Sequence, residues 1–284
     1  MPKPVKKTLI ERLLSEGWFS SEREALPWIM SGKVLVDTRQ ILSPKAKIPA
    51  GGAIRVKEYY KKKYVNKGGL KLQKALADFK IDVTDKTALD CGASTGGFTD
   101  CLLRHGAALV YAVDAGHGEL AGKLLNDKRV VNLERTNISD ESLKNLSPGP
   151  ELITLDLSYL SLKTAVPVCG EILKNDGSII ALIKPIVETD SPEIKRGGGI
   201  NRREIIIEIL ADLCGFFIKN KFDIAGLTHS PVRGNNGALE YFIYLHTGGA
   251  KSENINETYS SLFGGIIEKS FALEKFDKNN ISEI

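Results

Sequence analysis

The stretch DCGASTGGFTD, residues 90–100, decides the fold of this chain and has two interpretations. Gly92, Ser94 and Gly96 match the G-x-S-x-G pattern, in which a strand-to-helix turn presents a nucleophilic serine in hydrolases. The same residues match a glycine-rich loop that follows a first strand and binds a nucleotide-containing cofactor. The sequence around the loop has to distinguish a nucleophile from a cofactor-binding loop.

Strand-like and helix-like segments alternate from residue 87 onward. Because each predicted strand is a continuous apolar run, the pattern is typical of an α/β fold with a mostly parallel sheet covered on both faces. The last two strands are too close together for an intervening helix, so we expect an antiparallel pair at the end. The predicted strands are 87–92, 109–116, 130–134, 151–159, 177–185, 223–231 and 239–247, and helices are predicted at 98–106, 161–174 and 200–220.

The loop and the next strand together favour a cofactor. Glycines allow the backbone to approach a ligand closely, and Asp114, at the end of the second predicted strand, can accept hydrogen bonds from ribose hydroxyls. Ser94 replaces the second glycine of G-x-G-x-x-G, which suits a ligand without a pyrophosphate, such as S-adenosylmethionine. We expect Asp90 either to hold the loop or to reach the amino-acid end of that ligand. The predicted cofactor-binding residues are Asp90, Gly92, Ser94, Thr95, Gly96, Gly97, Asp114 and, on the adenine side, Asn137.

The hydrolase interpretation needs an acid and a histidine after the serine. Asp156 and His229 satisfy that order. However, Ser94 follows the first predicted strand of its sheet, whereas the hydrolase elbow follows several strands, and no HGGG-type oxyanion loop precedes it. The sequence therefore favours the cofactor loop.

Composition limits the class of protein. The chain has 284 residues, 42% of them hydrophobic, which is ample for a packed core. No apolar run approaches the roughly 18 residues of a membrane span, and the N-terminus lacks the apolar core of a signal peptide. Four scattered cysteines without a C-x-x-C pair indicate reduced thiols in a cytoplasmic protein and predict no metal site.

Charge is distributed unevenly. The net charge is +4, but residues 1–63 carry 14 Lys and Arg against 6 Asp and Glu, and the remainder carries 25 against 29. A basic segment joined to a mildly acidic one predicts that the first part binds a polyanion, with a solvated basic surface as the alternative.

The first sixty residues predict a small α+β module. Helical patterns over 6–16 and from Ser20 or Ser21 to Gly32 precede two short strands at 34–37 and 53–58. RLLSEGWFSSEREALPWIMSGKVLVD (12–37) and LSPKAKIPAGGAIRV (42–56) resemble the alpha-L RNA-binding module of ribosomal proteins and RNA-modifying enzymes. In such a module basic side chains contact phosphates without reading base identity. The candidates are Arg12, Arg23, Lys33 and Lys45.

Longer motifs extend the resemblance to most of the chain. They resemble the TlyA (hemolysin A) family, whose catalytic domain is similar to the FtsJ-type ribose methyltransferases. The resemblance implies a Rossmann-like domain that uses S-adenosylmethionine to methylate ribose 2′-hydroxyls in ribosomal RNA, usually at cytidine. The motifs are GGLKL (68–72), LDCGASTGGFTDCLL (89–103), YAVDAGHGEL (111–120), VNLERTN (131–137), LDLSYLSL (155–162), LIKPIVE (182–188) and GNNGALEYF (234–242).

The resemblance also implies a catalytic constellation of Lys71, Asp156, Lys184 and Glu240. A ribose hydroxyl is a poor nucleophile, so the enzyme has to align it with the methyl group and remove one proton. We expect Lys184 to orient or deprotonate the hydroxyl and the other three residues to act by positioning and electrostatics.

The predicted organisation is an RNA-binding domain at 1–60, a basic linker at 61–70, a methyltransferase domain at 71–248 and a helical tail at 249–284. Apolar tail positions from Tyr259 to Phe271 form a helical stripe broken at Gly264 and Gly265, which predicts docking on the chain's own domain or, alternatively, a partner or membrane surface. The expected partner is ribosomal RNA or a ribosomal subunit. Two other functions stay open: a membrane-damaging hemolysin and a non-catalytic RNA-binding assembly factor.

Overall fold

The computed structural model divides the chain into two compact units, Met1–Lys63 and Tyr64–Ile284. Each unit has its own hydrophobic core. The structure describes residues 7–16, 18–19, 21–49, 51–56, 64–174, 176–192, 200, 202–248 and 255–276.

The described residues of the first unit form two helices and a three-stranded antiparallel sheet. Helix α1 (Leu9–Ser15) begins at a capping box, in which Thr8 Oγ1 accepts from the Glu11 amide and Glu11 accepts from the Thr8 amide. Helix α2 (Glu22–Met30) is capped by Ser21. The sheet order is β2-β1-β3, with β1 at Val34–Val36, β2 at Arg39–Gln40 and β3 at Ile54–Val56.

Strand β2 corrects the prediction of only two strands in this unit. Its two residues are polar and exposed, so they carry no apolar alternation that sequence analysis detects. The strand exists because β1 turns back at Asp37 and pairs Leu35 with Gln40 and Val36 with Arg39.

The second unit is an α/β domain that begins with a helix, α3 (Gly68–Phe79), which was not predicted. The helix starts inside the segment predicted as a linker, where two glycines masked its pattern; residues 61–63 lie outside the described part. The other α-helices and strands of its described residues are β4 (Thr87–Cys91), α4 (Gly97–Arg104), β5 (Leu109–Asp114), α5 (Gly122–Leu125), β6 (Val130–Glu134), β7 (Leu152–Leu155), α6 (Leu162–Ile172), β8 (Ser178–Ile183), α7 (Pro185–Glu188), α8 (Arg203–Lys219), β9 (Phe222–His229), β10 (Tyr241–Thr247) and α9 (Ile255–Phe276).

The seven strands have the order β6-β5-β4-β7-β8-β10-β9. Strands β6 to β8 pair in parallel, and β10 is antiparallel to both neighbours. The mostly parallel sheet with a final antiparallel pair is thus confirmed. The insertion of β10 between β8 and β9 was not predicted, because strand order is a property of the assembled sheet.

Of the two predictions for the tail, docking on the chain's own domain is confirmed and the break at the glycines is not. Helix α9 docks on its own domain: Phe263, Ile266 and Ile267 are buried in the core that also contains α8. The predicted break is wrong, because the helix continues through Gly264 and Gly265. Each glycine costs about 1 kcal/mol relative to alanine in a helix, and the buried residues around them supply the compensating contacts. The side chains of Tyr259 and Leu262 lie outside the described part.

The topology fixes where a ligand can bind. The chain runs outward from β4 through β5 to β6 and then returns to place β7 on the other side of β4. In open α/β sheets, the crevice at the carboxyl ends of the strands on either side of such a switch point is the binding site. The loops after β4 and β7 therefore form the two sides of the candidate site.

Candidate active site

The glycine loop after β4 has a backbone that needs glycine at two positions. Gly92 has φ +84°, and a Cβ there would lie 2.6 Å from the carbonyl oxygen of Asp156. Gly96 has φ +94°, caps α4, and a Cβ there would lie 2.2 Å from Leu124 Cδ1. The loop backbone therefore lies directly against Asp156, which follows β7, and against Leu124 on α5, and a side chain at either glycine would collide with these residues unless they moved.

Ser94 is held by two carboxylates. Its amide donates to Asp114 Oδ2 at 2.7 Å, and its hydroxyl donates to Glu119 at 2.9 Å. Asp114 also accepts from the Gly116 amide at 2.7 Å. These bonds retain Ser94 in a left-handed conformation at φ +46°, which is uncommon for a residue with a side chain. Strain of this kind persists where the surroundings over-determine it, and it concentrates at ligand sites.

A shallow cleft, open to solvent, lies beside this loop. Each Asp114 oxygen keeps a second lone pair, so the carboxylate can still accept from a ligand. Hydrogen bonds from Asn132 and the Gly118 backbone lower the pKa of Glu134. Sequence analysis missed Glu119, although it lies in the YAVDAGHGEL motif. The cleft is lined by Ala93, Ser94, Asp114, Gly116, His117, Glu119, Leu120, Asn132 and Glu134.

Of the predicted cofactor residues, Ser94 and Asp114 line this cleft, the other loop residues, Thr95 and three glycines, are not among its lining, and Asp90 and Asn137 lie elsewhere. Asp90 is fully buried and accepts from Thr99 Oγ1 at 2.7 Å and Thr154 Oγ1 at 3.0 Å. Burial raises the pKa of Asp90 to about 6. Asp90 therefore ties β4 to α4 and β7, which favours the loop-holding interpretation over contact with a ligand. The Asn137 side chain accepts from the amide and hydroxyl of Ser139 and is not part of the cleft lining.

The residues just before α3 also hold the glycine loop, through hydrogen bonds to the loop and to α4. Asn66 donates to Thr95 Oγ1 at 2.6 Å and accepts from the Gly68 amide at 2.6 Å. The neighbouring Val65 amide donates to Asp100 on α4 at 2.9 Å. The sequence did not predict this role for Asn66, because the helix that follows it begins with two glycines and was not recognised as a helix.

The four charged residues implied by the resemblance meet at the carboxyl edge of the sheet. Lys71 lies on α3, Asp156 follows β7, Lys184 follows β8 and Glu240 precedes β10. Lys71 Nζ lies 2.5 Å from Glu240 Oε2, and Lys184 Nζ lies 2.6 Å from Asp156 Oδ1. Ser158 Oγ accepts from Lys184 Nζ at 3.1 Å, a contact that was not predicted.

Glu240 occupies the most buried position in this charged cluster. The pairing of Tyr241 with Ile183 places Glu240 opposite Lys184, and Glu240 is 6% exposed. Burial raises the pKa of its carboxyl, while Lys71 opposes that shift. Asp156 and Lys184 also act on this carboxyl electrostatically, so the two ion pairs form one cluster.

The geometry excludes the hydrolase interpretation. His229 ends β9, which lies four strand positions from β4, or about 19 Å at ~4.8 Å per strand. Its Nδ1 is 2.9 Å from the Ser230 carbonyl oxygen, and the Ser94 hydroxyl binds Glu119. Ser94 and His229 therefore cannot form a catalytic pair.

The basic residues of the first unit divide into two groups. The structure contradicts the prediction that Arg12 contacts phosphates. Arg12 is nearly buried, pairs with Glu16, and donates to the carbonyls of Pro49 at 2.8 Å and Gly52 at 2.9 Å. It stabilises the module rather than facing a phosphate. Arg23 and Lys45 are exposed, and Lys33 is partly exposed with Nζ 5.3 Å from the Trp28 ring centroid.

Comparison with known proteins shows the family. The FtsJ-like methyltransferase model matches residues 64–247, which is most of the second unit. Hemolysin A of Brachyspira hyodysenteriae is 39% identical over 239 residues, covering 84% of this chain and 98% of that protein.

Two further matches extend across both units. The 16S/23S rRNA (cytidine-2′-O)-methyltransferase TlyA of Mycobacterium tuberculosis is 34% identical over 83% of this chain and 88% of its own length. A solved structure from Streptococcus thermophilus that carries the name hemolysin covers 97% of this chain and 99% of its own, with a TM-score of 0.73 and 31% identity. The chain therefore belongs to the FtsJ-like methyltransferase family, in the group that includes TlyA and hemolysin A.

Proposed function

We propose that this protein transfers a methyl group from S-adenosylmethionine to a ribose 2′-hydroxyl of ribosomal RNA, with cytidine as the target nucleotide. The observation that carries the proposal is the cluster of Lys71, Asp156, Lys184 and Glu240, which four separate segments bring together beside the glycine loop. The name of the Mycobacterium tuberculosis relative supports the nucleotide and the position of methylation.

The residues beside the cleft suit the methyl donor. The carboxylate of Asp114 lines the cleft at the end of β5, where it can accept from ribose hydroxyls of a ligand. When bound, S-adenosylmethionine supplies an electrophilic methyl whose bond to sulfur breaks as the ribose oxygen bonds to it and loses its proton. We assign binding to Gly92, Ser94, Thr95, Gly96, Gly97 and Asp114, with Glu119 fixing Ser94.

Lys184 is the group that we assign to the hydroxyl proton. Its Nζ is held by the carboxylate of Asp156 and the hydroxyl of Ser158, which fixes the direction of the remaining nitrogen valence. In its neutral form Nζ takes up the proton, and Asp156 stabilises the resulting ammonium. Lys71 and Glu240 form the more buried of the two ion pairs, and we assign them to holding Asp156 and Lys184 in place by electrostatic interaction.

An exposed aromatic side chain next to the cluster suits an RNA substrate. Tyr159 is fully exposed and follows Ser158 directly. RNA-binding proteins stack unpaired bases on such rings, so we assign Tyr159 to contact with an unstacked base. In the first unit, exposed Arg23 and Lys45 suit phosphate contacts, which position an RNA without reading its sequence.

The alternative of a membrane-damaging protein finds no support in the helices. No helix in the described part of the chain is both long and apolar enough to cross a membrane. The alternative of a non-catalytic assembly factor predicts that the purified protein fails to bind S-adenosylmethionine in calorimetry.

The test is methyl transfer from labelled S-adenosylmethionine to unmodified ribosomal RNA, followed by nuclease digestion and chromatography of 2′-O-methylcytidine. We expect wild type to form it and Lys184→Ala to be slower by roughly 100-fold or more, the scale of a lost general base. Lys144→Ala is the matched control. Lys144 precedes β7, at the opposite edge of the sheet from the charged cluster, and its ion pairs are with Glu141 and Glu171. Wild type without transfer, or a fully active Lys184→Ala, would contradict the proposal.

A further inference from the structure

Two segments at the carboxyl edge carry the Lys184–Asp156 pair. Residues 156–161 follow β7 and lead into α6, and residues 184–188 follow β8 and form α7. Next to the sheet, the segments are joined by Lys184 with Asp156 and Ser158. A second junction lies farther out, and it is made by a residue with no role in the proposed mechanism, Glu188.

Glu188 makes three hydrogen bonds to the start of α6. Its Oε2 accepts from the Ser161 hydroxyl at 2.6 Å, and the Leu162 amide donates to Oε1 at 3.0 Å and to Oε2 at 3.2 Å. Helix α6 already has a side-chain cap, because Ser161 Oγ accepts from the Lys163 amide at 3.2 Å. The carboxylate therefore adds a connection between segments to a helix end that is already capped.

A rigid turn connects Glu188 to Lys184. The Lys184 carbonyl accepts from the Val187 amide at 2.8 Å and from the Glu188 amide at 3.3 Å. The Lys184 ammonium contacts Asp156 and Ser158, and the Glu188 carboxylate contacts Ser161 and Leu162, so both side chains of this turn face the segment that leads into α6. A shift of residues 156–161 relative to α7 has to break both junctions together.

We propose that Glu188 is a positioning residue for methyl transfer, which fixes the segment bearing Asp156 and Ser158 against the turn that begins at Lys184. This inference rests on the proposed function. Through Ser161 and Leu162, Glu188 sets the distance at which Asp156 and Ser158 hold Lys184 Nζ. Without Glu188, the polar contacts that the described residues make between 156–161 and this turn are those of Lys184, and Nζ is less well aligned with the hydroxyl that it serves.

The positioning role predicts a specific kinetic pattern. Glu188→Ala should lower kcat about 10- to 100-fold, because small misplacements cost catalysis on that scale. Affinity for S-adenosylmethionine should stay within about twofold, since Glu188 makes no contact with the glycine loop or its cleft. Glu188→Gln should recover part of kcat, because its amide oxygen can replace Oε2 and accept from both Ser161 and Leu162. Its NH2 group, in the place of Oε1, cannot accept the other bond from the Leu162 amide.

A pH profile separates positioning from simple stabilisation of α6. Burial raises the pKa of the Glu188 carboxyl, against the lowering effects of Ser161, Leu162 and Lys163, and Asp212 on α8 adds to the rise. As the pH falls through that raised pKa, wild type should lose the acceptor and kcat should decline. Glu188→Gln has no such titration, so the acid limb of its kcat profile should be flatter than that of wild type.

The experiment measures kcat, KM for RNA, donor affinity and Tm for wild type, Glu188→Ala, Glu188→Gln and Glu171→Ala. Glu171, at the other end of α6, pairs with Lys144 and is the matched control, with kcat expected unchanged. If Glu188→Ala does not fold, Glu188→Gln and its pH profile decide the question. Active wild type with undiminished kcat and an unchanged acid limb in the Glu188 variants overturns this inference alone. Inactive wild type removes the proposed function and the inference with it.

Discussion

The carboxyl edge of the sheet has two halves that are built in opposite ways. The glycine-loop half, after β4 and β5, is formed by neighbouring residues and backbone hydrogen bonds, such as those from Ser94 and Gly116 to Asp114. The charged half, after β7 and β8 and before β10, is formed by the side chains of Lys71, Asp156, Lys184 and Glu240. The backbone of the glycine-loop half depends on glycines, which have no Cβ. The stability of the charged half depends on each charge having an oppositely charged partner.

This difference predicts different weaknesses. Adding an atom should damage the glycine-loop half, because its backbone is already in contact with β7 and α5. Removing an atom should damage the charged half, because a buried charge that loses its partner is left uncompensated. Mutations chosen to add or remove atoms therefore test whether the two halves differ as the structure indicates.

The largest effect is expected from Lys71→Met. At pH 8 it leaves the Glu240 carboxylate, 6% exposed, without its partner at 2.5 Å. Breaking one side of a buried pair costs about 3–5 kcal/mol, whereas replacing both partners with apolar residues is often nearly neutral. Urea denaturation should therefore show a large loss for Lys71→Met and recovery of most of it in Lys71→Met/Glu240→Leu. Equal losses in the single and double variants would show that the pair is not the source of the effect.

The next effect concerns Asp90, which joins the two halves through Thr154 on β7. Its folded pKa of about 6 lies above the ordinary value of 3.8, because burial disfavours the carboxylate. The raised pKa stabilises the fold fully below the ordinary value, and that contribution is lost as the pH rises through 6. Relative to Asp90→Asn, wild type should lose roughly 2 kcal/mol of unfolding free energy between pH 4 and pH 7, most of the total that the shift supplies at 1.36 kcal/mol per pKa unit.

Unfolding free energies of wild type and Asp90→Asn at both pH values test this expectation. Parallel pH dependences in the two proteins would mean that Asp90 titrates alike in the folded and unfolded states. Because Asn can accept from one threonine while donating to the other, the variant should keep both contacts, and the comparison isolates the charge.

The glycine-loop half could be predicted from sequence because its determinants are local. The spacing of Gly92, Gly96 and Asp114 relative to apolar strands gives the strand–loop–helix unit and its place at the sheet edge. What the spacing did not reveal was the burial of Asp90, which depends on Thr154 from a strand far along the chain. Sequence also missed Asn66, since it acts from a segment whose helix begins with two glycines.

The charged half was available only through family resemblance. No local pattern shows that Lys71 pairs with Glu240 and Lys184 with Asp156. The Lys184–Asp156 pair follows from β8 lying next to β7, and the Lys71–Glu240 pair follows from the packing of α3 against the sheet. For a similar reason, Arg12 was wrongly placed at the RNA surface: the carbonyls that bind it lie in the loop before β3. Charge type is visible in a sequence, but the partner of each charge depends on tertiary structure.

The addition of one methyl group tests the glycine-loop half. Gly92→Ala places a Cβ 2.6 Å from the Asp156 carbonyl oxygen at φ +84°. A left-handed conformation with a Cβ costs about 1–2 kcal/mol per residue. If this cost is relieved by moving the loop, donor affinity should fall about tenfold, which is 1.4 kcal/mol. Gly122→Ala is the matched control, because a Cβ there meets no atom within 4 Å. Equal calorimetric affinities for the two variants would show that the loop tolerates side chains.

The smallest effect should come from Tyr241→Phe, which removes one hydroxyl behind the charged half. Tyr241 is fully buried, and its hydroxyl is 2.8 Å from Ser270 Oγ on α9. Ser270 keeps its bond to the Ile267 carbonyl, so the variant leaves no buried donor unpaired and should lose about 1 kcal/mol. Because neither Tyr241 nor Ser270 lines the cleft, donor affinity should not change. Calorimetry should therefore show the donor affinity of wild type. If donor affinity instead fell by as much free energy as stability, the charged half and the glycine-loop half would be energetically coupled, which would contradict the comparison.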